Sequence, residues 1–282
     1  MKTQFSTTAL LSFYQWMDNY LLQKGQAYTN YTSQLYYQPD STLGTSYMAF
    51  AAPFKSFVWD SGVSGAMVIT SVSGSFGALS RDQSGVKIDY VNGRVLVPSG
   101  LLQSSAVLSG SYAFKDFNIY FANQEADRAV FTNKPYLNSR FNRPITGLTP
   151  PYGMVAPCIF LSNVAEDSPD WALGGKYNTT LQIKASIMAE NMGQLEGAIS
   201  YLTDSVNSVF PQLETNVWPL NNFGDFKSGY NYQSVLEQYS TPSNQFMVTN
   251  VKSRKMPDAA KINESIFQAE ATFTVEKPRY TR

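Results

Sequence analysis

The sequence predicts an α+β protein that is mostly β. We expect an N-terminal helix and an antiparallel β-sandwich or barrel, followed by an α+β domain whose helix packs on an antiparallel or mixed sheet. Two observations indicate this class: apolar residues recur with a period of two through most of residues 27–123, and residues 181–210 change from that period to a helical one. An irregular, proline-rich stretch at 124–151, which we interpret as a linker or interface loop, divides the chain into predicted domains at 1–150 and 151–282.

The N-terminal helix is predicted over residues 7–24, with Ser6 or Thr7 as its cap and Gly25 in the left-handed position that often ends a helix. Its apolar residues cover more than one side, whereas a helix on a single core has one stripe. Two explanations stay open: a central helix within the fold, or a helix that also packs against a neighbouring subunit. The apolar residues are Leu10, Leu11, Phe13, Tyr14, Trp16, Met17, Tyr20, Leu21 and Leu22.

The segment after this helix alternates apolar and polar residues in short runs broken by Gly, Ser and Pro, which is typical of an antiparallel sandwich or barrel. Its clearest local signal is Asn92–Gly93, which predicts a two-residue type I′ turn between two alternating strands. The predicted strands are 33–37, 47–51, 55–59, 66–72, 86–90, 94–97, 106–113 and 117–121.

The second half is organised around one strand and one helix. Residues 181–189 place alternate apolar side chains on one face, which predicts a half-buried strand. A helix then follows, capped by Asn191 with Gln194 three residues on, and stopped by Pro211. The other predicted elements are a strand at 154–162, a polar loop at 166–176, a long excursion at 216–241, and strands at 245–251 and 266–276.

Composition and charge narrow the function. Basic and acidic residues number 21 each, and this balance argues against a nucleic-acid coat or a membrane-surface binder, because both need a basic excess. Only 15% of residues are charged, where about 25% is usual, while 14% are aromatic. A surface poor in charge and rich in Tyr, Asn, Ser and Thr is typical of a protein covered by its neighbours. No apolar run approaches the ~20 residues of a membrane span, and no clean secretion signal opens the sequence.

Enzymatic chemistry has little support. The chain has no histidine, and histidine is the commonest general base and transition-metal ligand. Asp89, Asp116, Asp167 and Asp170 could supply a carboxylate pair for glycoside hydrolysis, but any chain with 21 acidic residues offers such pairs. We therefore predict that the protein is not an enzyme and binds no cofactor and no metal.

Three further features have an ordinary explanation beside a functional one. Glu166, with the two aspartates that follow it at 167 and 170, could bind calcium, but EF-hand spacing is absent and a solvated acidic loop is preferred. Cys158 lies in an apolar run and is expected to be a buried, inert thiol. Lys134, Arg140 and Arg143 form a small basic group that could touch DNA or an acidic partner, although a solvated loop is the simpler interpretation.

Several stretches together resemble structural proteins from the neck of contractile-tailed bacteriophages. These are "LLSFYQWMDNYLLQKGQAYTN", "IDYVNGRVLVPSG", "GSYAFKDFNIYFAN", "VAPCIFLSN" and "FTVEKPR", which are distributed along most of the chain, from residue 10 to residue 279. The second half is also similar to the strand–helix–sheet domain of tail-terminator rings. The resemblance implies a ring-forming virion subunit, assembled in the bacterial cytoplasm and located between capsid and tail. Its partners would be other copies of itself, portal or adaptor and tail-terminator proteins, and the DNA passing through a channel.

Three functions follow from these observations. The first is a structural ring subunit of a phage neck or head-to-tail connector that stabilises the DNA channel, with tail-terminator or other tail-associated proteins as alternatives. The second is a β-sandwich carbohydrate- or receptor-binding module that uses exposed Tyr side chains and Trp59, and the third is the carboxylate hydrolase. For the first, the predicted interface anchors are aromatic and apolar residues of the first helix and the irregular loop. They are Trp16, Tyr20, Leu21, Tyr136 and Phe141.

Overall fold

The computed structural model confirms an α+β fold that is mostly β, with an N-terminal helix and two curled sheets. No helix among the described residues is both long enough and apolar enough to cross a membrane. The residues that the structure describes are 5–122, 136–137, 155–168, 170–172, 176–221, 225–256 and 266–280.

Three α-helices lie in the described residues, with three short 3-10 helices beside them. Their bounds are α1 Phe5–Gln23, α2 Met192–Thr203 and α3 Tyr232–Tyr239, with the 3-10 helices at Ser41–Leu43, Thr215–Val217 and Pro242–Asn244. Helix α1 begins and ends within two residues of its predicted bounds. The left-handed residue after the helix is Gln26, with a φ of 47°, and not Gly25 as the sequence predicts. Gly25 itself packs against the last turn, where an added Cβ would lie 2.6 Å from the Leu21 carbonyl oxygen.

The first sheet has seven antiparallel strands in the order β4-β3-β7-β1-β2-β6-β5. Strand β1 pairs with β7 through Leu35 and with β2 from Tyr36 onward, so it joins two halves of a curled sheet. Alternate side chains of these strands form a core of aliphatic and aromatic residues. The strands are β1 Tyr28–Gln38, β2 Tyr47–Ala51, β3 Ser71–Gly74, β4 Gly77–Ser80, β5 Lys87–Asp89, β6 Arg94–Pro98 and β7 Leu108–Lys115.

The second sheet runs in the order β14-β15-β16-β13-β11-β8, with β12 also paired to β13. The neighbour pairs are antiparallel except β8 with β11, so this sheet is mixed. A two-stranded parallel pair, β9 with β10, stands apart. The strands are β8 Asn118–Phe121, β9 Tyr136–Leu137, β10 Val155–Ala156, β11 Cys158–Asp167, β12 Asp170–Ala172, β13 Lys176–Ala189, β14 Val209–Pro211, β15 Gln245–Lys255 and β16 Phe267–Tyr280.

Helix α1 is the central helix of the fold, as the first of the two explanations predicts. On one side Phe13 packs edge-on against Phe273 of β16, with ring centroids 5.0 Å apart. On another side Leu22 packs with Ala113 of β7. The helix therefore contacts both sheets, which explains why its apolar residues cover more than one side.

Strand β8 belongs to the second sheet although it precedes residue 150, because it pairs with β11. The first part of the chain thus contributes one strand to the second sheet, and α1 packs against that sheet. The predicted division into domains at residue 150 stays a prediction.

Several predictions in the first half are wrong in detail. The hairpin at Asn92 exists, but Asp89 pairs with Arg94 and leaves a four-residue turn in place of a two-residue one. Gly93 is still required there: its φ is +64°, and a Cβ would lie 2.2 Å from the Phe54 carbonyl oxygen. Residues 55–59 form only an isolated bridge, since Ser56 has a φ of +57° that interrupts the extended chain.

The strand predicted at residues 66–72 is also wrong in its bounds. Only its last two residues lie in a strand, β3, which begins at Ser71. The strand β4 that pairs with it was not predicted. Its sequence, Gly-Ala-Leu-Ser, has neither β-branched nor aromatic residues, so it lacks the composition that identifies strands.

In the second half the core strand is confirmed and the flanking elements need correction. Leu181, Ile183, Ala185 and Ile187 are all buried on one face of β13. The predicted polar loop at 166–176 is wrong where described, because β11 runs to Asp167 and β12 follows it.

The helix after β13 is capped as predicted, and it is shorter than predicted. The Asn191 side chain accepts a hydrogen bond from the Gln194 amide at 2.9 Å, while the Gln194 side chain accepts from the Glu190 amide at 3.2 Å. The helix ends at Thr203, and the apolar residues before Pro211 form β14. The excursion at 216–241 contains α3, which sequence reasoning missed.

Candidate functional site

The three predicted interface anchors of α1 serve the protein's own core. Trp16 is 5% exposed and stacks on Phe210 of β14, with ring centroids 5.2 Å apart and planes inclined by 19°. Leu21 is 4% exposed, and Tyr20 is half-buried against Trp16. Little of either side chain is therefore left to contact a neighbour, and the role of Trp16 and Leu21 as contacts between subunits stays a prediction.

The other two predicted anchors lie in the irregular segment. Tyr136 contributes its backbone to β9, and its side chain lies outside the described residues. Phe141 lies wholly outside them, as does the basic group of Lys134, Arg140 and Arg143. Their roles stay predictions.

Polar interactions tie α1 to the first sheet. The Asp18 carboxylate binds the Lys115 ammonium at the end of β7, with N–O distances of 2.5 and 2.6 Å, and both side chains are buried. One residue on, the Asn19 side chain donates to Asp60 at 3.1 Å. Burial raises the pKa of Asp60, although it also accepts hydrogen bonds from the amides of Gly62 and Tyr232 that favour its charge. These contacts fix the position of the helix between the sheets.

Two of the four acidic residues considered for catalysis have structural partners. Asp89 pairs with Arg94 at 2.9 Å and accepts hydrogen bonds from Asn92 inside its own hairpin. Asp116 accepts a hydrogen bond from the Thr29 hydroxyl at 3.1 Å. Asp167 is exposed on β11, and the side chain of Asp170 lies outside the described residues.

Metal and thiol chemistry were also considered at the sequence level. Within the described ranges, no three His, Cys, Asp or Glu side chains are grouped so that they could hold a metal ion. Cys158 is 3% exposed, and burial raises its thiol pKa to about 12, so the thiol is protonated at neutral pH. This environment is that of the inert cysteine that the sequence predicts.

Trp59, proposed as a sugar-stacking residue, is 6% exposed. Its ring lies between Phe226, at a centroid distance of 5.1 Å, and Tyr230, at 5.4 Å, while the Lys115 ammonium is 5.0 Å from its centroid. A sugar ring stacks on an aromatic face that is open to solvent, whereas these neighbours cover much of Trp59 and the rest of its surface lines a cavity. The carbohydrate-binding role of Trp59 stays a prediction.

The outward face of the first sheet is the surface that sequence reasoning missed. Nine uncharged, exposed side chains lie on one face of the adjacent strands β4, β3, β7 and β1. The register sets them side by side, and the Thr32 and Ser111 hydroxyls hydrogen-bond across strands at 2.8 Å. We call this surface the open face; its residues are Thr32, Gln34, Tyr36, Ser71, Ser73, Ala78, Ser80, Ser109 and Ser111.

Exposed apolar residues border the open face. Tyr36 of the open face is 45% exposed, and Val107 and Phe76 at the border of that face are 40% and 37% exposed. The Phe76 ring lies over Gly74, where an added Cβ would be 2.3 Å from a ring carbon and 3.0 Å from the Val107 carbonyl oxygen. Glycine at 74 therefore leaves room for the Phe76 ring beside the Val107 backbone.

The edge strand of this sheet is protected by its shortness alone. Natural sheets defend an exposed edge with short strands, lysine, proline or a bulge. Among the described strands β4 forms one edge, and its residues Gly77–Ser80 carry neither charge nor proline. An edge and a face without charge present no desolvation penalty for ions when another protein covers them.

Comparison with known proteins adds no relative: no protein-family model matches the chain, and no curated protein matches it.

Proposed function

We propose that the chain is a structural subunit of a bacteriophage virion that forms an oligomeric ring in the neck or head-to-tail connector. In this role it joins capsid and tail and stabilises the channel through which DNA passes. The observation that carries the proposal is the open face, nine exposed side chains on four strands without a single charge.

The physical argument starts from the cost of covering a surface. Burying a lysine or glutamate side chain costs up to about 2 kcal/mol of conformational entropy, in addition to desolvation of its charge, whereas serine and alanine lose much less. The open face is built mainly from Ser, Thr and Ala, so a neighbour can cover it at low cost. Tyr36, one of its nine residues, adds apolar area that favours association when water is excluded.

The composition of the whole chain agrees with extensive coverage. Only 15% of residues are charged, and the basic and acidic residues are equal in number, so the net charge is zero. A subunit in a permanent assembly buries on the order of 2,000 Å² or more, and such interfaces are depleted in charge at their centres. The resemblance of the chain to phage neck proteins names the assembly in which we place it.

The test is the mass of the natural protein, measured alone and in particles. We expect purified virions to contain several copies per neck, and the protein located by antibody labelling at the junction of capsid and tail. A subunit of this kind can stay monomeric until it docks, so the particle measurement decides. Purified virions that lack the protein, or that carry it away from the junction of capsid and tail, would contradict the proposal.

A further inference from the structure

A cavity of about 230 Å³ lies where α1, β8 and the first sheet meet. Its walls are mostly aromatic: Trp59 and Phe226 stack at 5.1 Å, Tyr90 meets Phe226 edge-on at 5.5 Å, and Tyr14 of α1 packs on Phe121 of β8 at 5.1 Å. We call it the aromatic cavity. It is not part of the open face, and the proposed function does not use it.

The charge of the lining is compensated. Among the described residues that line the cavity, Lys115 is the one with a formal charge, and Asp18 binds its ammonium through both carboxylate oxygens. Aromatic cages often bind cations. Here the Lys115 ammonium already lies 5.0 Å from the Trp59 centroid, so a second cation at that ring would be repelled. The lining therefore favours an uncharged occupant.

The volume and the entrance of the aromatic cavity indicate the size and polarity of its occupant. An apolar cavity of about 150 Å³ is enough to bind benzene, so one of about 230 Å³ has room for two fused rings. The entrance is apolar, because Val91 is 51% exposed and Phe121 is 38% exposed at its border. Because the faces of Trp59 and Phe226 contact each other, a planar ring packs against the edges of these two rings and against the other aromatic walls.

We propose that the aromatic cavity is a binding site for an uncharged, planar, two-ring aromatic group, of which indole is the simplest example. Such a group can come from a free small molecule or from a tryptophan side chain of another protein. The proposal does not depend on the virion role, since it rests on the walls, volume and charge of the cavity alone.

The first experiment titrates the full-length protein with indole and follows binding by ligand-observed NMR. We expect saturable binding with a Kd of about 1 mM or tighter, as is reasonable for a ligand of this size. Tetramethylammonium, a cation that aromatic cages bind, should show no saturable binding. Failure of indole to bind, or tighter binding of tetramethylammonium, would overturn the proposal.

The matched variants test the location. Val91→Trp places a two-ring side chain at the entrance and should weaken indole binding about tenfold or more, equivalent to about 1.4 kcal/mol. Val164→Trp adds the same side chain on exposed β11 and should leave binding unchanged. Equal affinities of the two variants would overturn the assignment, and thermal unfolding of both shows that each is folded.

A third ligand separates the two sources of the ring. N-acetyltryptophanamide carries the same indole on a peptide-like backbone. If it binds with an affinity similar to that of indole, the cavity admits a tryptophan side chain of a partner. If only indole binds, the site is one for a free small molecule; both results support the proposal, and binding of neither overturns it.

Discussion

The two sheets have similar inner faces and opposite outer ones. Inside, both bury aromatic and aliphatic side chains, and α1 packs against each of them. On its outer face the second sheet carries charged side chains. Lys184 pairs with Glu270, and Glu276 accepts hydrogen bonds from Asn178 and Thr249. The first sheet carries the uncharged open face. The second outer face is thus suited to permanent contact with water, and the first to being covered.

The largest expected effect comes from the core that α1 shares with the second sheet. Trp16→Ala should lower the free energy of unfolding by about 3–5 kcal/mol, because it leaves a large cavity against Phe210. Tyr20→Ala, at a half-buried position on the same helix, should cost clearly less. Urea unfolding measures both; similar small losses for the two variants would show that Trp16 is not a core residue.

The second effect concerns the attachment of α1 to the first sheet. Asp18→Asn leaves the Lys115 ammonium buried without its counter-charge and should destabilise the protein by about 3–5 kcal/mol. Replacing both partners by Leu and Met should recover most of this loss, since a buried ion pair contributes little beyond an apolar pair. A single variant as stable as the wild type would contradict a buried pair.

The third effect is a pH dependence at Asp60, beside the same attachment. Burial raises its pKa above the ordinary value of 3.8, so the folded protein keeps a proton that the unfolded chain has released. Asp60 therefore favours folding at low pH and loses that contribution as pH rises through 3.8 and then through the raised pKa.

The measurement is the unfolding free energy of the wild type minus that of Asp60→Asn, followed from acid to neutral pH. This difference should fall as pH rises and level off above the folded pKa. Other titrating groups are common to both proteins and cancel. A difference that rises with pH would mean that the hydrogen bonds from Gly62, Tyr232 and Asn19 outweigh burial.

The fold class and the inner faces could be predicted because both follow from periodicity. The alternation through Leu181 to Ile187 and the two-sided apolar pattern of α1 each follow from burial, which is a strong and local signal. The predictions were wrong where tertiary contacts determine the backbone conformation. Ser56 has a positive φ that interrupts a run alternating like a strand, and α2 ends at Thr203 while Phe210 is buried in β14.

The candidate surface could not be predicted from the sequence for a related reason. Serine and threonine on an exposed strand have the same composition as a loop, so Ser71, Ser73 and Ser109 carried no signal until the register placed them together. The sequence could not separate the predicted anchors on α1 from core residues, because an aromatic side chain on a second helix face fits an internal neighbour as well as an external one. Trp16 has Phe210 as that neighbour.

The most direct test of the account adds one charge to each outer face. Ser109→Lys changes the centre of the open face, and Gln182→Lys makes the matched change on the outward face of β13; both positions are exposed. The copy number of the protein per particle is then measured for each variant, with urea unfolding to show that both are folded. We predict that Ser109→Lys sharply reduces incorporation and that Gln182→Lys does not. Normal incorporation of a folded Ser109→Lys protein would contradict the claim that the open face is covered.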